Sequence, residues 1–302
     1  MPQEGMSFGN EEIRDAVPVI FAAKVLKVID DKLVFGKIAT KEYEGEISEV
    51  GSRVVIRGLG EVTIRNYDPK TAKAAGVDPV QYETPQDSAI FLDVDQAYYY
   101  GLSEGDIKKK QSDLNHMTNY AEKAGYGLDK KVDSYIGGLY ATGAYGATPY
   151  VQVVDVDSSN VTSAIGELWD ALELVNIDKK FIVLPSWLVL RLLYAGIVNA
   201  DDLKGELKNG FIGRVLQFNM FQSNRCAKLP TEANPAKWHN AIMAGSYDSI
   251  AFVQQIIETE SLRLQGDFAS ATRGLHVWGS RVIKPKELYW ADLKGTMETN
   301  VY

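Results

Sequence analysis

At 302 residues with 45% apolar side chains, the chain is long enough for two cores and too apolar to be wholly disordered. Its 32 Lys and Arg against 40 Asp and Glu leave a net charge of -8, which on average repels phosphate backbones and argues against sequence-specific nucleic-acid binding. No run approaches the roughly 18 to 20 apolar residues of a membrane helix. Met1-Pro-Gln-Glu-Gly lacks the basic-then-apolar layout of a signal peptide, so no membrane partner is expected and synthesis is expected in the cytoplasm.

Residues 1–40 begin polar, pass Pro18, and carry Val19-Ile-Phe-Ala-Ala-Lys-Val-Leu-Lys-Val-Ile29, an apolar run that reads as helix or extended chain with no local partner. Within residues 41–86, Arg53-Val-Val-Ile-Arg57 and Glu61-Val-Thr-Ile-Arg65 flank Gly58-Leu-Gly60, the pattern of a β-hairpin. A two-stranded ribbon alone is marginal in water, so this one is expected to lean on another surface. Glu42, Glu44, Glu46 and Glu49 precede it, and Arg53, Arg57 and Arg65 lie along it. That charge suits either ion pairs between subunits or strand edges blunted by solvated groups.

Asp93-Val-Asp-Gln-Ala-Tyr-Tyr-Tyr-Gly-Leu-Ser-Glu-Gly-Asp-Ile107 reads as a hydrophobic strand, a turn and the start of a long helix. Ser103 is expected to cap that helix, with Asp106 as the acidic half of a capping box. Ile107, Leu114, Met117, Ala121, Ala124, Leu128, Val132, Ile136 and Leu139 fall mostly three or four apart and draw one apolar stripe, with the helix ending near Gly137-Gly138. The result is a rod on the order of 50 Å at about 1.5 Å per residue, far beyond an ordinary helix of about 11 residues. Gly125 and Gly127 interrupt it. Each costs roughly 1 kcal/mol relative to alanine and marks either a bend or a close packing contact.

Gly137-Gly-Leu-Tyr-Ala-Thr-Gly-Ala-Tyr-Gly146 has the glycines of a phosphate loop but no preceding strand and no following Lys-Ser or Lys-Thr, so no nucleotide cofactor is expected. Asp155-Val-Asp-Ser-Ser-Asn160 lacks the glycine and distal glutamate of a calcium loop; it reads as the cap of the next helix through Ser159 or Asn160. Val161, Ile165, Leu168 and Leu172 then share one helix face, Phe181-Ile-Val-Leu184 is a buried strand, and Ser186 starts a helix closed by Gly196. Residues 213–222 read as one strand and 241–244 and 250–253 as two more, which makes 155 to about 265 an α/β unit. Residues 268–274 read as a short helix stopped by Gly274, and 275–285 and 288–290 as two final strands.

Val94-Asp-Gln-Ala-Tyr-Tyr-Tyr, Ser103-Glu-Gly-Asp-Ile and Val277-Trp-Gly-Ser-Arg-Val-Ile-Lys-Pro, in that order, resemble the major capsid proteins of tailed bacteriophages with the HK97 fold, and the resemblance covers nearly the whole chain. It implies an α+β fold with an N-terminal arm at 1–40, an extended β-hairpin E-loop at 41–86, a P-domain with the long spine helix at 87–154, an α/β A-domain at 155–270 and P-domain strands returning at 271–302. The function implied is a shell: hexamers and pentamers of this chain closing an icosahedral head around double-stranded DNA. Under the resemblance, Glu46, Glu49, Arg53, Arg57 and Arg65 of the E-loop meet a neighbouring subunit, and the spine helix bends at Gly125 and Gly127. No long helical scaffold segment precedes the arm, which implies a separate scaffolding protein. A portal protein and a decoration protein are the other partners implied, with assembly in the host cytoplasm. The alternative is an encapsulin-like nanocompartment of the same fold that holds an enzyme.

Catalysis finds little support. His116, His239 and His276 have no Cys, Ser elbow or Glu at a recognised spacing, Asp93 and Asp95 read as solvated, and the lone Cys226 reads as a small buried hydrophobe. No catalytic, cofactor or metal residue is assigned. Lys24, Lys27 and Lys108-Lys-Lys110 are offset by Asp30, Asp31, Asp106 and Asp113, so DNA is expected to be contained by enclosure and not gripped. A monomeric ligand-binding module is a third reading, one that predicts a single small peak in size-exclusion chromatography.

Overall fold

The computed structural model describes residues 24–29, 32–43, 51–59, 67, 82, 87–105, 115–153, 155–173, 175, 177, 179–198, 211–215, 217–230, 237–264 and 269–296. Three sheets and one long helix organise them. A two-stranded ribbon joins β1 (Arg53–Leu59) to β2 (Asp87–Asp93), a three-stranded antiparallel sheet runs β3 (Gln96–Gly105), β10 (Ala269–Val282), β9 (Ile250–Arg263), and a six-stranded mixed sheet follows. Its order is β4 (Val151–Val153), β11 (Leu288–Thr296), β8 (Lys237–Ser246), β5 (Lys180–Leu184), β7 (Phe218–Gln222), β6 (Phe211–Val215).

β5 explains how the layers stack. Ile182 and Leu184 face the helices Val161–Glu173 and Ser186–Tyr194, whereas Phe181 and Val183 face the cluster built on the long helix. A strand covered on both faces must be apolar throughout, which is why Phe181-Ile-Val-Leu reads as a continuous run. The three-stranded sheet is also two-sided. Phe252 and Trp278 pack toward the long helix, and Ala251, Val253 and Val277 pack under Val54, Ile56, Leu92 and Val94 of the ribbon and its exit. The ribbon therefore does lean on another surface, and that surface belongs to its own chain.

The long helix is described over Asn115–Gly137, 23 residues or about 35 Å. Ser103 does not cap it. It lies in β3, paired with Ala271, because the tyrosine-rich stretch finds β10 as a partner and cross-strand pairing overrides a local capping pattern. Asp106, Ile107 and Leu114 lie outside the described residues. The hairpin expectation is also corrected: β1 runs on through Gly58 and Leu59 and pairs with Asp87–Asp93, whose Ile90 and Leu92 meet Ile56 and Val54 in register. The second arm expected at 61–65 lies outside the described residues.

Other elements also differ from expectation. Residues 269–274 are strand, and Gly274 is a close-approach site where a Cβ would sit 2.3 Å from the Tyr100 hydroxyl. The strand expected at 213–222 is two, with Gln217 between them at a left-handed φ of 65° and Val215 paired with Phe218. β11 does not join the three-stranded sheet of β3, β10 and β9; it lies between β8 and β4 in the six-stranded sheet, with Leu288 in the long-helix cluster, and β9 leaves the α/β unit to pair with β10. At 157–160 the chain makes an Asx turn ahead of the helix: Asp157 Oδ1 accepts from the amides of Ser159 (2.8 Å) and Asn160 (3.0 Å) while Asn160 Oδ1 accepts from the Asp157 amide. The Ser159 hydroxyl, and after it the Asn160 and Ser159 amides, hold the Asp157 carboxyl below its usual range.

Candidate assembly surfaces

The arm is fastened to the long helix by one carboxylate. Asp133 Oδ2 accepts from the amide of Val34 at 3.0 Å, and Oδ1 from those of Phe35 at 2.9 Å and Gly36 at 3.3 Å, at the start of the short helical turn Phe35–Ile38. Around this clamp, Val25, Ile29, Leu33, Phe35 and Ile38 are buried with Ala121, Leu128, Val132 and Ile136. The apolar run of the arm thus finds its partner far along the chain. Burial pushes Asp133 up to about 7, aided by the charge of Asp129 and opposed by the three amides. Asp129 is pushed up to about 6 by burial, against Arg225, Lys32 and Lys130. Sequence reasoning missed Asp133. The available signal was an acid set between Val132 and Ile136, at the border of the apolar stripe.

The two helix glycines have different surroundings. A Cβ on Gly125 would lie 2.9 Å from Val28 Cγ1 and 3.1 Å from the Val25 carbonyl, so the arm helix at 24–29 seats directly against it. Gly127 has nothing within 4 Å. Gly125→Ala is expected to destabilise the dissociated subunit by about 1–3 kcal/mol through overpacking, and Gly127→Ala to stabilise it by about 1 kcal/mol through helix propensity. Urea unfolding of the two single variants measures both, and equal shifts would contradict the assignment.

The ribbon presents its second face outward. Val55 and Phe91 are direct cross-strand partners, 43% and 41% exposed, and Arg53 sits beside them with Nε 2.6 Å from Asp93 Oδ1 and its guanidinium 5.1 Å from the Phe91 ring centre. Half-exposed apolar side chains flanked by charge on the outer face of this ribbon suit contact with another surface. Arg57 lies on β1 opposite Ala89; Glu46, Glu49 and Arg65 lie outside the described residues. His239, Lys180 and Cys226 make contacts within the subunit. His239 is 2.9 Å from the Pro230 carbonyl and 2.5 Å from Asp292, Lys180 is fully buried against Glu173, and the Cys226 thiol is pushed up to about 12 by burial.

A model of the phage capsid protein family matches residues 93–291, the stretch from the end of β2 into β11. This chain belongs to the phage capsid protein family. It is a major capsid protein of the HK97 type, a self-assembling structural component of the icosahedral phage head. A chain from Mycobacterium phage Che8 is similar at 23% identity and a TM-score of 0.63, covering 86% of this chain and 91% of that one. The capsid structure of cyanophage P-SCSP1u aligns at 12% identity and a TM-score of 0.64, over 87% and 88% of the two chains. The capsid of Ralstonia phage GP4 aligns at 9% identity and a TM-score of 0.62, over 88% and 89%. At these identities the likeness is one of fold, α+β with the helix and sheets described above. No curated protein matches. The family match does not favour the nanocompartment alternative.

Proposed function

We propose that this capsid protein closes the head as hexamers and pentamers, with the ribbon of one subunit tying it to the next. Residues 1–40 serve as the arm, 41–86 as the E-loop, 87–154 with the returning β10 as the P-domain, and 155–270 as the A-domain, to which β11 adds a strand. Glu46, Glu49, Arg53, Arg57 and Arg65 contribute charge to the intersubunit contact, and the spine helix flexes at Gly127 as the shell changes shape. A separate scaffolding protein, a portal protein and a decoration protein complete the particle, which assembles in the host cytoplasm around DNA retained by enclosure.

The observation that carries this reading is the outward Val55 and Phe91 pair on a ribbon whose inner face is already satisfied by its own chain. Deleting the ribbon would also remove Val54 and Ile56 from a buried cluster, so point changes are the cleaner test. Val55→Asp with Phe91→Asp sets two like charges opposite each other on the ribbon and is expected to cost about 1–2 kcal/mol while leaving the subunit folded. Shell closure should fail, leaving capsomers or free subunits in sedimentation and electron microscopy. Full-size closed particles from this variant would remove the ribbon from the interface.

A further inference from the structure

The net charge of the chain conceals how its charges are sorted along the long helix. Asp129 and Asp133 turn into the arm contact and are buried, whereas Lys123, Lys130 and Lys131 stay exposed, with Glu122 at the edge of the same face. The exposed face therefore carries three lysines against one glutamate. Tyr120 and Tyr126, each 42% exposed, stand among them. Lys130 Nζ lies 4.3 Å from the Tyr126 ring centre and Lys32 Nζ, from the arm, lies 5.0 Å from it, so two ammonium groups share one exposed ring. Asp129, buried beneath them, faces Lys32 and Lys130 and offsets part of their charge.

Gly127 sits at the centre of this arrangement. Lys123 is four residues before it, Lys130 three after and Lys131 four after, which places all three around it on the helix surface. Nothing lies within 4 Å of where its Cβ would be. A bare glycine framed by three lysines leaves room for a phosphate to approach the helix backbone, a use of glycine that packing does not require here. Lysines clustered on one exposed face are the electrostatic footprint that engages a phosphate backbone without reading sequence.

We infer that the exposed face of the long helix, Tyr120, Lys123, Tyr126, Gly127, Lys130 and Lys131 with Lys32 of the arm, is an inner-wall contact for the phosphate backbone of packaged duplex DNA. This rests on the reading that the shell encloses DNA, and it replaces containment alone with a weak, sequence-independent contact. Each subunit supplies few charges; repetition over the shell makes the contact collective.

The test uses the full chain with Lys123→Gln, Lys130→Gln and Lys131→Gln together, beside a control with Lys179→Gln and Lys286→Gln on exposed positions elsewhere. Binding of the dissociated subunit to a mixed-sequence 30-base-pair duplex is followed by fluorescence anisotropy from low to moderate salt. Removing three phosphate contacts should lower the log–log salt slope by about 2 to 3 and weaken low-salt affinity ~10-fold or more, with the control unchanged. In a reconstruction of DNA-filled particles, the outermost DNA layer should touch the long helix. A wild-type slope in the triple variant, or filled shells whose DNA layer meets a different surface, overturns the inference while leaving enclosure intact. Shells that hold protein and no DNA overturn both.

Discussion

Replacing Asp133 by alanine is expected to destabilise the dissociated subunit by about 3–5 kcal/mol, because three buried backbone amides lose their acceptor at once and each unsatisfied donor costs about 1–3 kcal/mol. The loss should be local before it is global: amide exchange at Val34, Phe35 and Gly36 should accelerate most, followed by the arm positions Val25 and Ile29. Unfolding within about 1 kcal/mol of wild type would show that the arm is held by its apolar side chains alone.

The same site sets a pH dependence. Asp133, at about 7, and Asp129, at about 6, both lie above the ordinary carboxylate value, so the folded state binds protons more tightly than the unfolded chain. The stability they contribute is present in full below about pH 4 and is lost as pH rises through 6 to 7. Arg225, Lys32 and Lys130 face Asp129 and oppose this trend, and the three amides oppose it at Asp133. Arm attachment should therefore weaken between about pH 4 and 7. Asp133→Asn, which cannot ionise, should flatten the profile while losing one acceptor. A wild-type slope in that variant would move the titration elsewhere.

Elements whose signal is local were legible. The stripe through Ala121, Leu128, Val132 and Ile136 identified the long helix down to its end at Gly137, and Phe181 to Leu184 identified β5, since a run of four apolar residues bounded by Pro185 has few other uses. What failed was pairing between distant segments. Ser103 looks like a cap until Ala271 is placed beside it, and Gly274 looks like a helix stop until the Tyr100 hydroxyl is found against it. β1 continues through Gly58 and Leu59, where a turn was expected, and pairs with Asp87–Asp93, a partner that the hairpin grammar did not point to. Asp133 was invisible for the same reason: its amides lie 97 to 99 residues away, and no periodicity records such a contact.

The ribbon's seat on the sheet depends on a glycine, and Gly279→Ala is expected to cost about 3 kcal/mol or more. A Cβ there would lie 2.4 Å from the Asp93 carbonyl oxygen, 3.1 Å from its carbon and 3.1 Å from Leu92 Cδ2. Backbone cannot rotate aside as a side chain can. Nor is the ribbon free to lift: Arg281 Nη1 donates to the Phe91 carbonyl at 2.6 Å, and Val54, Ile56, Leu92 and Val94 are buried against Ala251, Val253 and Val277. β10 cannot retreat either, because Trp278, the next residue back, is fully buried in the long-helix cluster and stacked on Tyr98 at 4.8 Å. The strain must open one of two cores, and the smaller one under the ribbon should yield first. The variant should therefore unfold at lower urea, with early exposure of β1 to limited proteolysis while the six-stranded sheet stays protected. An alanine accepted there without loss of stability would mean that the ribbon is not seated on β10 as described, and the intersubunit role of its outward face would lose its rigid support.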